Sequence, residues 1–251
     1  LICNHQNGLS DALGILFSLK KDGRRPVCIA RGDIFKKDFV AKLLRFIRIM
    51  PAFRVQDTGK ENLGENQAIF DKSADIVAKN GIVCLFPEAG HESCRHLGTF
   101  KKGFARIAFR AAERLNFEQP VYIQPLSNHY SNYFKVQGKL VMTVGEPFEF
   151  SDLYDLYKEN PTRAQKLLAD RARQKVKELM LDIEDLSLYD EYDCIRKLYS
   201  FHVLKQEGKR PSDFANKLDA EKKIVASLDR LRENDSATFD ALMNRTNRYM
   251  R

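Results

Sequence analysis

Over its first 150 residues the chain alternates short β-branched or aromatic runs with stretches of helical periodicity, and after that the β-like runs stop. LIC (1–3), PVCIA (26–30), GIVCLF (81–86), VYIQPL (121–126) and KLVMTVG (139–145) are bounded by Gly, Pro or charged turns, the pattern of strands. Between them, 9–20, 35–49, 65–79 and 102–116 place apolar residues at i, i+3 and i+4 against polar opposite faces. Alternation of this kind buries a largely parallel sheet under helices. The expected fold is α/β, a largely parallel sheet covered by helices and followed by a C-terminal helical extension. The expected domains are 1–150 and 151–251.

The extension shows two long amphipathic patterns: Leu168, Val176, Leu179, Ile183 and Leu186, then Phe214, Leu218, Val225, Leu228 and Leu231. Pro161 and Pro211 fall where helices can start, since the missing N–H of proline is harmless in a first turn. A helical hairpin or small bundle is expected, its apolar stripe packed on the core or against another chain. At 251 residues the chain is long enough for a full α/β core plus such an extension.

A formal charge of +8 and a pI near 9.2 point to an anionic partner: nucleic acid, an anionic membrane surface or a phosphorylated substrate. Three clusters of basic residues, at 20–25, 36–48 and 101–110, fall in the first half. Nucleic acid is disfavoured, because no helix-turn-helix pattern, zinc spacing or aromatic-basic strand pair is present. The five cysteines, Cys3, Cys28, Cys84, Cys94 and Cys194, form no C-x-x-C pair and read as buried reduced thiols of a cytosolic protein. No stretch approaches the roughly 18 apolar residues of a spanning helix. The first strand is already under way at Leu1, so a preceding segment is expected, and a membrane anchor could lie there.

Candidate chemistry begins with NHQNGLSD, residues 4–11. Six positions along a helix would leave His5 and Asp11 about 120° apart, so they meet only if the chain breaks between them. Asn7-Gly8 is a turn dipeptide, Ser10 a suitable N-cap and Asp11 a first-turn carboxylate favoured by the helix dipole. An ionised Asp11 accepting the Nδ1 hydrogen of His5 would leave Nε2 as a base, suited to deprotonating an alcohol. A plain capping loop with an incidental histidine is the alternative.

Three further segments stand beside this pair. CLFPEAGHES (84–93) is a strand that ends at Pro87 and delivers Glu88, Gly90 and His91 onto the loop beyond, where parallel α/β sheets carry their functional groups. MPAFRVQDTGK (50–60) offers Arg54 and Lys60, and a guanidinium suits bidentate binding of a phosphate. VYIQPLSNHY (121–130) places Pro125 in another strand.

In this order the four segments resemble the glycerolipid acyltransferase family, over roughly residues 1–148. NHQNGLSD is similar to a variant of the family's N-H-x4-D motif with one more intervening residue. Arg54 resembles the arginine of G-x4-R, with Ile49 at the glycine position. FPEAGHES resembles F-P-E-G-T-R-S, with Ala89 for the glycine and His91 for the arginine, and Val121 to Leu126 resembles the apolar fourth motif with its central proline.

The resemblance implies that 1–150 is an acyltransferase catalytic domain with His5 and Asp11 catalytic. It also implies substrate contacts by Asn4, Arg54, Lys60, Glu88, Gly90, His91 and Pro125. The absence of arginine at 91 shifts phosphate binding towards Arg54, helped by His91, Arg95 or Lys60. A fatty acyl group would pass from acyl-CoA or acyl-carrier protein to the hydroxyl of a lysophospholipid, 1-acylglycerol-3-phosphate first among them, in phospholipid biosynthesis. Acylation of glycerol 3-phosphate or of an acyl-amino-acid lipid, and an inactive lipid-binding scaffold, are the alternatives.

No cofactor or metal is expected; a metal site built from Glu88, His91, Cys94 and His96 matches no standard ligand pattern. The expected partners are the acyl-thioester donor, the glycerolipid acceptor and an anionic membrane surface, with acyl carrier protein as a possible donor. The expected location is the cytoplasmic face of a membrane. Residues 34–50, IFKKDFVAKLLRFIRIM, read as one basic, aromatic-rich amphipathic helix, which packs on the core or lies in a membrane interface.

Overall fold

The structure, a computed structural model, describes residues 1–19, 23, 25–52, 63–90, 93–134 and 138–251. The fold is α/β with a C-terminal helical stretch. Internal contacts divide the chain into two compact units. The first is Leu1–His91, Gly98–Asn128 and Met142–Leu179; the second is Glu92–Leu97, His129–Val141 and Met180–Arg251.

The first unit is built on parallel strands. β1 (Ile2–Cys3) pairs with β6 (Pro125–Tyr130), Ile2 opposite Pro125 and Cys3 opposite Leu126. β2 (Val27–Arg31) lies between β3 (Ile49–Ala52) and β4 (Val83–Cys84), parallel to both. A parallel bridge from Ile2 to Leu85 joins the two groups, with the Cys3 N–H donating to the Leu85 carbonyl at 3.1 Å. The resulting order is β3, β2, β4, β1, β6, with β7 (Leu140–Val144) beyond β6. A short antiparallel pair, β5 (Tyr122–Ile123) with β8 (Phe148–Glu149), stands apart.

Central strands buried on both faces read as continuous apolar runs, which is why IC, VCIAR and VC carry so few polar residues. Cys3, Cys28, Ile49 and Cys84 meet Ala12 and Ile15 of α1 (Leu9–Leu19) and Leu44 of α2 (Asp38–Phe46) in one buried cluster. Behind the sheet, α3 (Leu63–Ala78) and α4 (Gly103–Arg114) are tied by Arg114 to Asp71 at 2.9 Å and Arg110 to Asp71 at 3.3 Å. Phe109 of α4 stacks on Tyr157 of α5 (Tyr154–Glu159), centroids 4.2 Å apart, and α6 (Pro161–Leu179) buries Ala164, Leu168, Ala172 and Val176.

Residues 34–50 are not one helix. A 3-10 turn (Gly32–Phe35) precedes α2, Arg48 takes a left-handed φ of 63°, and Ile49 and Met50 enter β3 against Cys28 and Ile29. The apolar run IRIM satisfies a helical pattern and a strand equally, and edge pairing with β2 decides it.

The second unit is helical: α7 (Tyr189–Gln206), α8 (Phe214–Asn234) and α9 (Ser236–Met250) enclose Tyr192, Ile195, Leu218, Val225, Leu228, Phe239 and Met243. Asp213 caps α8 by accepting the Ala215 N–H, and Asp235 caps α9 by accepting from Thr238. Pro161 does open α6, but Pro211 lies before the Asp213 cap and not at the start of α8. Arg196 of α7 is buried against Glu221 of α8 at 2.6 Å and also pairs with Asp193.

Candidate active site

The turn after β1 brings His5 and Asp11 together. Gly8 adopts φ 52°, open to a residue without a Cβ, and the Ser10 and Asp11 N–H groups close the turn on the Asn7 and Gly8 carbonyls. The helix starts at Leu9, so Ser10 lies inside its first turn and is not the N-cap expected from sequence. Asp11 Oδ2 reaches back past the N-cap position to accept the N–H groups of Gln6 at 2.9 Å and Asn7 at 2.8 Å, which ties the turn to the first turn of the helix.

The same oxygen lies 2.9 Å from His5 Nδ1. A carboxylate accepts and does not donate, so Nδ1 carries the hydrogen and Nε2 the lone pair. Asp11 is fully buried, whereas the His5 side chain keeps 17% of its surface exposed. The imidazole stacks on Phe86 with centroids 4.6 Å apart and planes 24° from parallel. Asp11 thus holds the ring at Nδ1 and Phe86 supports one face of it. Hydrogen bonds to the charged form, reinforced by the start of α1, favour an ionised Asp11.

Glu88 fastens the backbone beneath the histidine. Its Oε1 accepts the His5 N–H at 2.7 Å and its Oε2 accepts the Gly98 N–H at 2.8 Å, joining the end of β1 to the approach to α4. The two carboxylates thus divide the work: Asp11 orients the ring and Glu88 fixes the main chain that carries it. Ala89, next in the turn that closes on Phe86 O at 3.1 Å, has φ 57°. A left-handed alanine is strained, and this is the position where the resembled motif has glycine. Gly90 follows in the same bend, half-buried.

Asn4 is fully buried and faces the sheet: its Nδ2 donates to the Asn128 carbonyl at 3.1 Å and its Oδ1 accepts the Asn128 N–H at 2.7 Å. Pro125 is buried as the first residue of β6, where its missing N–H is tolerated. Arg54, Lys60 and His91 lie outside the described residues. Arg95 belongs to the second unit, where its Nη2 donates to the Tyr130 carbonyl at 3.1 Å and its guanidinium lies over Tyr133.

Sequence reasoning passed over Phe86, Gly98 and above all Asn128. The signal was there: Ser127, Asn128 and His129 are three successive polar residues in a strand, all buried. Cys3 adjoins the site, but burial pushes its thiol well up, leaving a neutral core group in place of a nucleophile.

Chemically, the arrangement is a base held in one tautomer at the C-terminal end of a parallel strand, where open α/β sheets bind ligands. A family model described as Acyltransferase matches residues 1–128, and every side chain of the His5 cluster falls inside that span. No curated protein matches the chain.

Proposed function

The chain belongs to the glycerolipid acyltransferase family and is an acyltransferase; from that premise we propose that it carries a fatty acyl group from acyl-CoA or acyl-carrier protein to the hydroxyl of a lysophospholipid, most simply 1-acylglycerol-3-phosphate. The observation that carries the reading is the 2.9 Å approach of His5 Nδ1 to Asp11 Oδ2. In the proposed reaction His5 Nε2 takes the acceptor's hydroxyl proton as its oxygen attacks the thioester carbonyl carbon. Asp11 stabilises the imidazolium. The tetrahedral adduct then breaks its C–S bond, and the departing sulfur recovers the proton from His5, giving an ester and a free thiol. No covalent enzyme intermediate and no cofactor enter.

Arg54, Lys60 and His91 are the proposed contacts to the acceptor's phosphate, a guanidinium being suited to two parallel hydrogen bonds with it. Glu88 and Gly90 would shape the acceptor side of the pocket, and Asn4 and Pro125 would act from within the sheet by holding β1 against β6.

The test is acyl transfer by the full-length protein and its His5→Ala variant, with long-chain acyl-CoA or acyl-carrier protein as donor and glycerol 3-phosphate, lysophosphatidate or neutral lysolipid as acceptor. A general base contributes about 10²- to 10⁴-fold, so the variant should lose at least about 10² with the true acceptor. An unchanged rate in His5→Ala would remove the mechanism.

A lipid acceptor implies a membrane at hand, and α2 supports attachment at the surface of one. Among the described residues no helix is long and apolar enough to cross a bilayer. Ala41 and Leu44 turn inward, whereas Phe39, Leu43 and Phe46, at i, i+4 and i+7, form a ridge exposed by 79%, 50% and 84%. Lys36, Lys37, Lys42 and Arg45 are exposed around it. An apolar ridge with a cationic border is the form of a helix lying in an anionic interface. The proposed location is accordingly the cytoplasmic face of a membrane, with Phe46→Ser expected to reduce flotation with anionic liposomes. Flotation of the variant equal to that of the parent would refute α2 as the contact.

A further inference from the structure

The hydrogen bonds around Asp11 extend to a residue with no part in the reaction sequence above. Asn128 on β6 is fully buried, and its backbone is gripped on both sides by the Asn4 amide. Its side-chain Nδ2 donates to Asp11 Oδ1 at 3.3 Å and to the Asp11 carbonyl at 3.4 Å. Turned the other way, the amide would set its oxygen against a carboxylate, so the observed orientation follows from chemistry. In that orientation Asn128 Oδ1 is buried without a hydrogen-bond partner among the described residues. A buried polar atom left unpaired is unfavourable, and an apolar side chain of the same size would avoid it. The amide therefore earns its position through its nitrogen.

We infer that Asn128 is a positioning residue for the acyl transfer, holding the Asp11 carboxylate so that Oδ2 stays on His5 Nδ1. Rotation about the Cβ–Cγ bond of aspartate is soft and roughly two-fold. His5, Gln6 and Asn7 engage Oδ2, and Asn128 engages Oδ1, so the two oxygens are distinguished and the plane of the carboxylate is set. Asn128 touches no reacting atom in this scheme; it acts through Asp11 on the tautomer and tilt of the imidazole. The inference deepens the reading of His5 as the base and rests on it.

The experiment compares Asn128→Leu, which keeps the size and removes the donor, with Asn128→Ser, which keeps a donor. Each is followed by far-UV circular dichroism, by kcat and KM for acyl transfer, and by the ¹⁵N spectrum of histidine-labelled protein. For a folded Asn128→Leu, kcat should fall about 10- to 100-fold with KM within a factor of about two, as for a catalytic group displaced by a fraction of an ångström. The His5 resonances should move away from the Nδ1-protonated tautomer, and Asn128→Ser should recover part of both effects. Unchanged kcat and ¹⁵N shifts in a folded Asn128→Leu would overturn the inference. So would equal losses in the two variants confined to KM, which would mark a packing role.

If Asn128→Leu does not fold, Asn128→Ala decides by the same readouts, since it removes the donor without adding bulk; an unaltered His5 spectrum overturns the inference. The spectrum needs no substrate. A parent protein without acyl transfer would thus count against the proposed reaction, while the link from Asn128 to His5 is judged separately.

Discussion

Ala89 gives the sharpest test of the backbone around the site. Its φ of 57° places an L-residue with a Cβ in the left-handed region, at a cost of about 1–2 kcal/mol. The turn is over-determined: Glu88 is bound through both oxygens, the Lys101 N–H donates to the Pro87 carbonyl at 2.8 Å and the Ala89 N–H to Phe86. Ala89→Gly relieves the strain but gives the unfolded chain more freedom, worth about 0.4–1 kcal/mol in the opposite direction. The expected net effect is stabilisation by about 0.5–1 kcal/mol. With a urea slope of about 1–3 kcal/mol per molar, the midpoint should rise by about 0.2–1 M. The chain has no tryptophan, so circular dichroism is the signal of choice. Ala89→Val, with its branched Cβ, should move the midpoint down. Destabilisation by Ala89→Gly of about 0.5 kcal/mol or more would refute the strain argument and show that the methyl group's packing outweighs the torsion.

Glu88→Gln presents one oxygen and one NH₂ to two N–H donors, so one bond is lost and the other loses its charge; the expected cost is about 2–3 kcal/mol, read as faster hydrogen exchange at His5 and Gly98 and a lower urea midpoint. Protected amides and an unmoved midpoint would show that the clasp carries no load. In the second unit, Arg196→Met leaves Glu221, only 3% exposed at its side chain, without its main partner and should cost about 3–5 kcal/mol. Adding Glu221→Leu should return most of that loss in a thermal or urea melt, and a double variant no better than the single one would contradict the accounting.

The alternation of strands and helices is legible in the sequence because central parallel strands are apolar throughout and α1 and α4 keep a clean period. The approach of His5 to Asp11 is legible too, because a local turn at Asn7-Gly8 makes it. The strand at Ile49–Ala52 is not, since its identity depends on Arg48 turning left-handed and on a partner strand at Val27–Arg31. Two amphipathic patterns stand in the sequence after 151 where the structure has five helices. α7 in particular is hard to see because Glu191, Arg196 and Ser200 occupy buried positions and break its apolar period. Asn128 escapes for another reason: its partner Asp11 is 117 residues away, and only the β1–β6 pairing brings them together.

That pairing also sets a timetable. His5 is fastened by a residue 83 positions downstream and Asn4 by one 124 positions downstream, so the bonds that anchor the locally made His5–Asp11 turn in the sheet each close a long loop. Long loops are entropically slow to close, and they close only when both ends exist. On the ribosome the amino end emerges first and cannot acquire its geometry until Asn128 has followed it out. Through that interval β1 can join the sheet only on its Leu85 side and leaves its β6 edge open, the condition under which a chain aggregates or engages a chaperone. In refolding, recovery of activity should then lag behind the return of helix, because the docking of β6 on β1 completes the cluster.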